Sequence, residues 1–171
     1  DWVALQARLL DHLGIQRLYA VVGGSLGGQQ ALEWALAFPR RVHKCVVLAA
    51  SARLSAQGLG FNAVGRHAVM HDSDFRNGNY YGESAPYDGL AAARMLAHIT
   101  YLSEKGMDAK FGRRLQEGAR AKSGFGIEFQ VESYLDYQGR SFVERFDPNS
   151  YLYITRAMDY YDAALRWGDG D

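Results

Sequence analysis

Leu18-Tyr19-Ala20-Val21-Val22-Gly23-Gly24-Ser25-Leu26-Gly27-Gly28 is the stretch that decides the fold. Its apolar run suits a strand covered on both faces, and residues 26–38 carry a helical pattern that stops before Pro39. Between them Gly23-Gly24-Ser25-Leu26-Gly27 fits G-x-S-x-G. A serine on a strand-to-helix corner is held in a tight turn, so its neighbours must be small and its Oγ stands clear of the sheet edge. Gly23 and Gly27 are read as meeting that demand, and Gly28 as letting the helix lie close to the adjoining strands. The Leu26 amide then falls at a helix N-terminus, where unpaired N–H groups and the helix dipole stabilise a developing oxyanion. A bare match arises by chance in a chain with 19 glycines among 171 residues. The strand before it and the helix after it give it weight.

Outward from this corner, Trp2, Leu5, Leu9 and Leu13 repeat at near-helical spacing behind a capping Asp1, with Gly14 as the stop. On the other side Cys45-Val46-Val47-Leu48-Ala49-Ala50 reads as a second buried strand, reached by the turn at Pro39-Arg40-Arg41. Strand, helix, strand with short connections is a right-handed crossover in a parallel sheet. Residues 1–51 are therefore α/β. From 52 to 162 the pattern is helical, with no convincing buried strand. Phe61, Val64 and Ala68 share one helical face, and further helices are expected over 90–102, 129–137 and 150–161. The glycine- and asparagine-rich run from Arg76 to Gly82 and the stretch around Pro86-Tyr87-Asp88-Gly89 read as loops. Residues 163–171 are expected to start the return to the α/β part.

Nineteen basic residues balance nineteen acidic ones, so no overall field recruits nucleic acid or an anionic membrane. No apolar run approaches the 18 residues of a membrane span, and no basic-then-apolar leader is present in a chain that opens without Met. The lone Cys45 rules out a disulfide within the chain, favours a reducing compartment, and is expected as a small buried side chain.

A serine hydroxyl needs an imidazole to activate it and a carboxylate to orient that imidazole. Of five histidines, His12 and His43 lie away from the corner. His67 and His71, beside Asp72 and Asp74, have metal-compatible spacing but no third ligand, so a solvated helix end is the reading taken and no metal is expected. His98 is assigned to packing or hydrogen bonding within the helical part. Arg94 stands out, a guanidinium in a mainly apolar helix that shares its face with Leu90, Ala97, His98 and Tyr101. It needs a carboxylate. Either the substrate supplies one, or Asp88 or Glu104 does.

The corner, Ala31-Leu32-Glu33-Trp34-Ala35, Gly89-Leu90, Ala93-Arg94-Met95, His98-Ile99-Thr100-Tyr101-Leu102-Ser103, Lys110-Phe111-Gly112-Arg113, Phe129-Gln130-Val131-Glu132-Ser133-Tyr134-Leu135 and Arg145-Phe146-Asp147-Pro148-Asn149-Ser150-Tyr151-Leu152 together resemble the homoserine O-acyltransferases of the α/β-hydrolase type. The resemblance covers almost the whole chain. It implies a partial α/β-hydrolase core carrying the nucleophile elbow, followed by a helical lid. It further implies transfer of an acetyl group from acetyl-CoA to the hydroxyl of L-homoserine, with Ser25 as nucleophile in a ping-pong sequence and Leu26 as oxyanion-hole amide. Arg94 would hold the amino acid's carboxylate, and Tyr101 would line the pocket. The catalytic Asp and His would lie beyond Asp171 and the second oxyanion amide before Asp1, so the 171 residues alone are expected to turn over negligibly. No bound cofactor is implied. A cytoplasmic homodimer through the lid helices is. Succinyl-CoA is the alternative donor, toward which Leu26, where many acetyltransferase-like relatives carry Met, leans slightly. A carboxylic-ester hydrolase on the same scaffold is a further alternative, and a non-enzymatic dimerisation module another.

Overall fold

Leu18–Gly24 forms strand β1 and Val42–Leu48 strand β2, paired in parallel from Leu18↔Val42 to Gly24↔Leu48, in a computed structural model that describes residues 2–117 and 125–168. The helices are α1 (Trp2–His12), α2 (Leu26–Ala37), α3 (Ala56–Met70), α4 (Tyr87–Tyr101), α5 (Glu104–Lys110), α6 (Gln130–Val143), α7 (Pro148–Tyr160) and α8 (Ala163–Trp167). The chain divides into two units, Asp1–Ala56 with Ala157–Asp171, and Gln57–Arg156. Asp1, expected to cap α1, lies outside the described residues, as do 118–124 and 169–171.

In the first unit α2 connects the two parallel strands, as βαβ geometry requires. The core gathers Val3, Ala7 and Trp34, with Leu10, Leu18, Val21, Phe38 and Val42 packed around them. A polar chain ties α1 to α2: the Trp34 indole donates to Gln6 Oε1 at 2.7 Å, and Gln6 Nε2 donates to Gln30 Oε1 at 2.7 Å. The stripe whose spacing marked α1 as a helix, Trp2, Leu5, Leu9 and Leu13, is exposed, and Val3 and Ala7 turn inward. α1 carries two apolar stripes, and α2 and β1 receive the one with the smaller side chains. The strands, read as covered on both faces, keep Tyr19, Val22, Val46, Val47 and Leu48 exposed.

Glu33 on α2 is buried, and the end of the chain accounts for it. The Trp167 indole donates to Glu33 Oε2 at 2.9 Å, and Arg166 pairs with Oε1 at 3.3 Å. Asp162 caps α8 by accepting from the Leu165 amide at 3.0 Å. A buried carboxylate is tolerable only with such donors.

The second unit is helical among its described residues, with Val69, Leu90, Ala93 and Phe142 at its centre and Phe75, Val143, Phe146, Tyr151 and Leu152 against them. Full burial of Leu90 contributes roughly 1.5–3 kcal/mol. On α3 the stripe Phe61, Val64, Ala68 is not the inward one; Phe61 and Val64 are exposed, and Gly65 and Val69 are buried. α4 and α6 approach closely at Gly139, where an added Cβ would stand 3.1 Å from both the Cβ and the carbonyl oxygen of Ala91. Buried Tyr80 donates to Asp147 Oδ1 at 2.6 Å, and Asp147 Oδ2 accepts from the Ser150 amide at 2.7 Å ahead of Pro148, which opens α7. Burial and then this carboxylate push the Tyr80 hydroxyl far above its ordinary pKa. Asp147, against the upward push of burial, is held low by the donors from Tyr80 and Ser150.

Candidate active site

The corner between β1 and α2 is built from backbone. Ser25 adopts φ 54°, ψ −121°, a region that costs a side-chain-bearing residue of the order of 1–3 kcal/mol. The strain is held from both sides. The Ser25 amide donates to Leu48 O at 2.9 Å, extending the ladder beyond Gly24↔Leu48, and its carbonyl accepts from Gly28 N at 2.9 Å and Gln29 N at 3.1 Å. Ala49, next along after β2, is also at positive φ, 47°.

Although Ser25 occupies the N-cap position of α2, its side chain makes no capping hydrogen bond, and the residue is exposed. The hydroxyl is therefore available. Leu26 and Gly27 are the first residues of α2, and their amides have no acceptor in the preceding turn of helix. Unpaired N–H groups at the positive end of the helix dipole beside an exposed hydroxyl can bind negative charge developing on an acyl carbonyl oxygen.

The glycines divide differently from the motif. A Cβ on Gly23 would collide with the Gly27 carbonyl, and one on Gly28 would come 2.6 Å from Ala50 Cβ and 3.2 Å from Leu48 O. One on Gly27 would meet nothing within 4 Å among the described residues. The corner is tight at Gly23 and Gly28, so the demand assigned to Gly27 belongs to Gly28. The reason is geometric: α2 leaves the sheet with Gly28, not Gly27, turned toward β2.

In the second unit Arg94 and Tyr101 lie on one face of α4, and Arg94 Nη1 donates to the Tyr101 hydroxyl at 3.3 Å. The guanidinium carbon stands 4.7 Å from the centre of the Phe142 ring and 5.6 Å from that of Tyr101. Its Nε is buried without a partner, and among the described residues no carboxylate pairs with it, neither Asp88 nor Glu104. One turn on, His98 is buried, with Nδ1 2.8 Å from the Tyr134 hydroxyl and Nε2 buried and unpaired. Burial, then the charges of Arg94 and Lys110, lower the His98 pKa from 6.5, so the ring is neutral at pH 7. Sequence reasoning quoted Tyr134 and Lys110 only within the motifs of the resemblance and gave neither a role. Each reaches this cluster from a separate helix, and no spacing within one helix reports that.

The other flagged residues are elsewhere engaged. The rings of His67 and His71 stack at 3.7 Å, and Asp72 spends its oxygens on the amides of Asp74 and Gly89. Cys45, expected to be buried, is exposed as a residue. Its thiol donates to the Ala31 carbonyl at 3.2 Å, and burial at the sulfur pushes its pKa up. Among the described residues no cluster of three His, Cys, Asp or Glu is arranged to hold a metal, and no helix is long and apolar enough to cross a membrane.

The chain resembles characterised proteins throughout its length. A homoserine O-acetyltransferase of Zymomonas mobilis is 59% identical over 169 residues, covering 98% of this chain and 45% of that protein. A homoserine O-succinyltransferase of Acidithiobacillus ferrooxidans is 54% identical over 169 residues, covering 98% and 44%. The crystal structure of esterase E22 superposes with a TM-score of 0.81 at 29% identity, over 94% of this chain and 44% of that one. The chain thus spans a little under half the length of the curated relatives it matches. The family model for the alpha/beta hydrolase fold matches residues 1–169, and the parallel strands joined through a strained serine corner are what that fold requires. The chain belongs to the α/β hydrolase fold family.

Proposed function

We propose that the protein containing this chain transfers an acyl group from acyl-CoA to the side-chain hydroxyl of L-homoserine. Ser25 Oγ attacks the thioester carbonyl and the CoA thiol leaves, taking up the serine's proton. The homoserine hydroxyl then attacks the acyl-serine ester, and its proton returns to Ser25. The Leu26 amide stabilises the oxyanion in both steps. Residues 52–162 act as the lid that keeps water from the ester, and Arg94, with Tyr101 beside it, holds the amino acid's carboxylate. The base and its orienting acid come from outside these 171 residues, which alone turn over negligibly. The protein works in the cytoplasm as a homodimer through its lid helices, in methionine biosynthesis, with no bound cofactor.

The observation that carries this reading is the guanidinium of Arg94, which no carboxylate among the described residues pairs with, in a chain whose curated relatives are named for acylating homoserine. Those names divide between acetyl and succinyl. The acetyl expectation rests on the resemblance, and Leu26 after the nucleophile is what leans toward the succinyl alternative. Ester hydrolysis is the second reading, favoured by the superposition on esterase E22. Supplying the full-length protein with acyl-CoA, with and without homoserine, separates the two. We expect CoA release to depend on homoserine. Release at the same rate without it overturns acyl transfer.

A further inference from the structure

The segment that leaves β2 meets the serine corner at two points. Leu48 O accepts from the Ser25 amide at 2.9 Å, and two residues on, the Cβ of Ala50 lies only 2.6 Å from where a side chain at position 28 would start. Gly28 is inside α2 and has no left-handed φ, so space rather than backbone conformation excludes a side chain there. The same place is 3.2 Å from Leu48 O, the acceptor of the Ser25 amide, and 3.2 Å from Gly23 O. The Gly28 amide in turn donates to the Ser25 carbonyl at 2.9 Å. The contact between Gly28 and Ala50 therefore borders both backbone bonds that hold Ser25.

Which side gives way under pressure at that contact is decided by how each is anchored. Leu48 is paired with Gly24 in the ladder. Beyond Ala50 the Ser51 hydroxyl donates to Arg53 O at 2.6 Å, Ala52 O accepts from the Ala163 amide at 2.9 Å, and Arg53 forms an antiparallel bridge with Asp162. Asp162 and Ala163 belong to the same unit as the corner, and α8, which they open, is fastened to α2 through Trp167 and Glu33. Between these anchors Ala49 keeps φ 47°, a conformation that an alanine holds only where its surroundings over-determine it. Residues 48–53 are thus a strut fixed at both ends. A push between Gly28 and Ala50 moves the first turn of α2, which carries the Leu26 amide and the donors to Ser25 O.

We propose that Ala50 is a positioning residue, its Cβ seated against Gly28 so as to fix where the first turn of α2 stands on the end of β2, and with it the Ser25 hydroxyl and the Leu26 amide. The inference rests on the acyl-serine reading and adds to it a side chain that touches no substrate. Reaction rate depends steeply on placement, a shift of about 1 Å costing about 100-fold. Affinity for the acceptor does not run through this contact.

The test uses the full-length protein with whichever of acetyl-CoA and succinyl-CoA the parent turns over, and rates are taken per folded molecule below every variant's melting temperature. Gly28→Ala should lower kcat about 10- to 100-fold and change the homoserine KM by less than about 3-fold. Ala50→Gly in the same chain opens the place that the new Cβ needs. It should return kcat to within about 3-fold of Ala50→Gly alone, a coupling that a general loss of stability does not produce. Ala50→Val presses on the turn from the other side and should lower kcat about 10-fold, which decides the matter where Gly28→Ala does not fold. A double variant as slow as Gly28→Ala overturns the proposal, and so does Ala50→Val at the parent's kcat. Ser25→Ala keeps the two failures apart. Retention of more than about a tenth of the rate there removes the acyl-serine reading and the positioning with it, whereas an inactive Ser25→Ala beside an uncoupled pair overturns the positioning alone.

Discussion

The serine corner and the cationic nest are the two chemically equipped regions of this chain, and they are made in opposite ways. The corner is backbone work: eleven consecutive residues, a ladder hydrogen bond to Leu48, and two glycines whose Cβ positions are already occupied. The nest is side-chain work, assembled from α4, α5 and α6 by residues between 94 and 142, with a close α4–α6 approach at Gly139. A backbone site tolerates almost no change at the glycines whose Cβ positions are occupied, Gly23 and Gly28, yet constrains only one functional group. A side-chain site tolerates changes in its spacers and depends on which charges remain unpaired.

The largest effect should come from the hydroxyl itself. Ser25→Ala in the full-length protein is expected to cut acyl transfer by at least ~10³-fold without unfolding it, because a nucleophile is not replaced by oxyanion stabilisation alone. Steady-state CoA release is the measurement. Retention of more than a tenth of the rate would leave the corner a structural turn with no chemistry.

Next come the spacers. Gly23→Ala should cost several kcal/mol, of the order of 3 or more, since its Cβ must displace the Gly27 carbonyl from the helix it starts. Gly27→Ala, within the first turn of α2 with open space at its Cβ, should be neutral or stabilise by up to about 1 kcal/mol. Thermal melts of the pair decide the matter. Equal destabilisation would mean that the tightness of the corner lies in the motif as spelled, not in the contacts described.

The smallest expected effect is in the nest and concerns pH. His98 has its folded pKa lowered from 6.5, so the unfolded chain binds more protons than the folded one as the pH falls below about 6.5. Its contribution to stability is complete above that value and is lost on acidification until the lower folded pKa is passed. The groups that set this are Arg94 on its own helix, Lys110 from α5 and the Tyr134 hydroxyl from α6. In His98→Gln, stability between about pH 7 and pH 5 should fall less than in the parent, as followed by denaturant midpoints. An unchanged slope would mean that the imidazole is not held neutral by these neighbours.

Much of the fold was legible because its signals are local. The apolar run, the small residues around Ser25, the helix that ends before Pro39 and the second apolar run lie within 31 residues, from Leu18 to Leu48, and each is decided by neighbours along the chain. Helices over 90–102, 129–137 and 150–161 were legible through their period, but α4 starts at Tyr87, inside a stretch read as a loop, and α6 runs on to Val143. α5 and α8, of seven and five residues, are too short to show a period, and each is instead set by a cap, Ser103 Oγ accepting from the Gly106 amide at 3.1 Å and Asp162 from Leu165. Ser25 and Leu26 at the corner, and Arg94 and Tyr101 on α4, were picked out from the chain as candidates, whereas the surroundings of Arg94 were not legible there.

By itself the sequence determined the strand–corner–helix unit and the identity of its serine, because hydrogen bonding and sterics there act between near neighbours. Tertiary structure alone decided which stripe of α1 and of α3 turns inward, that Gly28 rather than Gly27 bears the close contact, and that no carboxylate among the described residues pairs with Arg94. An amphipathic helix with two apolar stripes specifies neither. The choice belongs to the surface it meets, and that surface is made by residues distant along the chain.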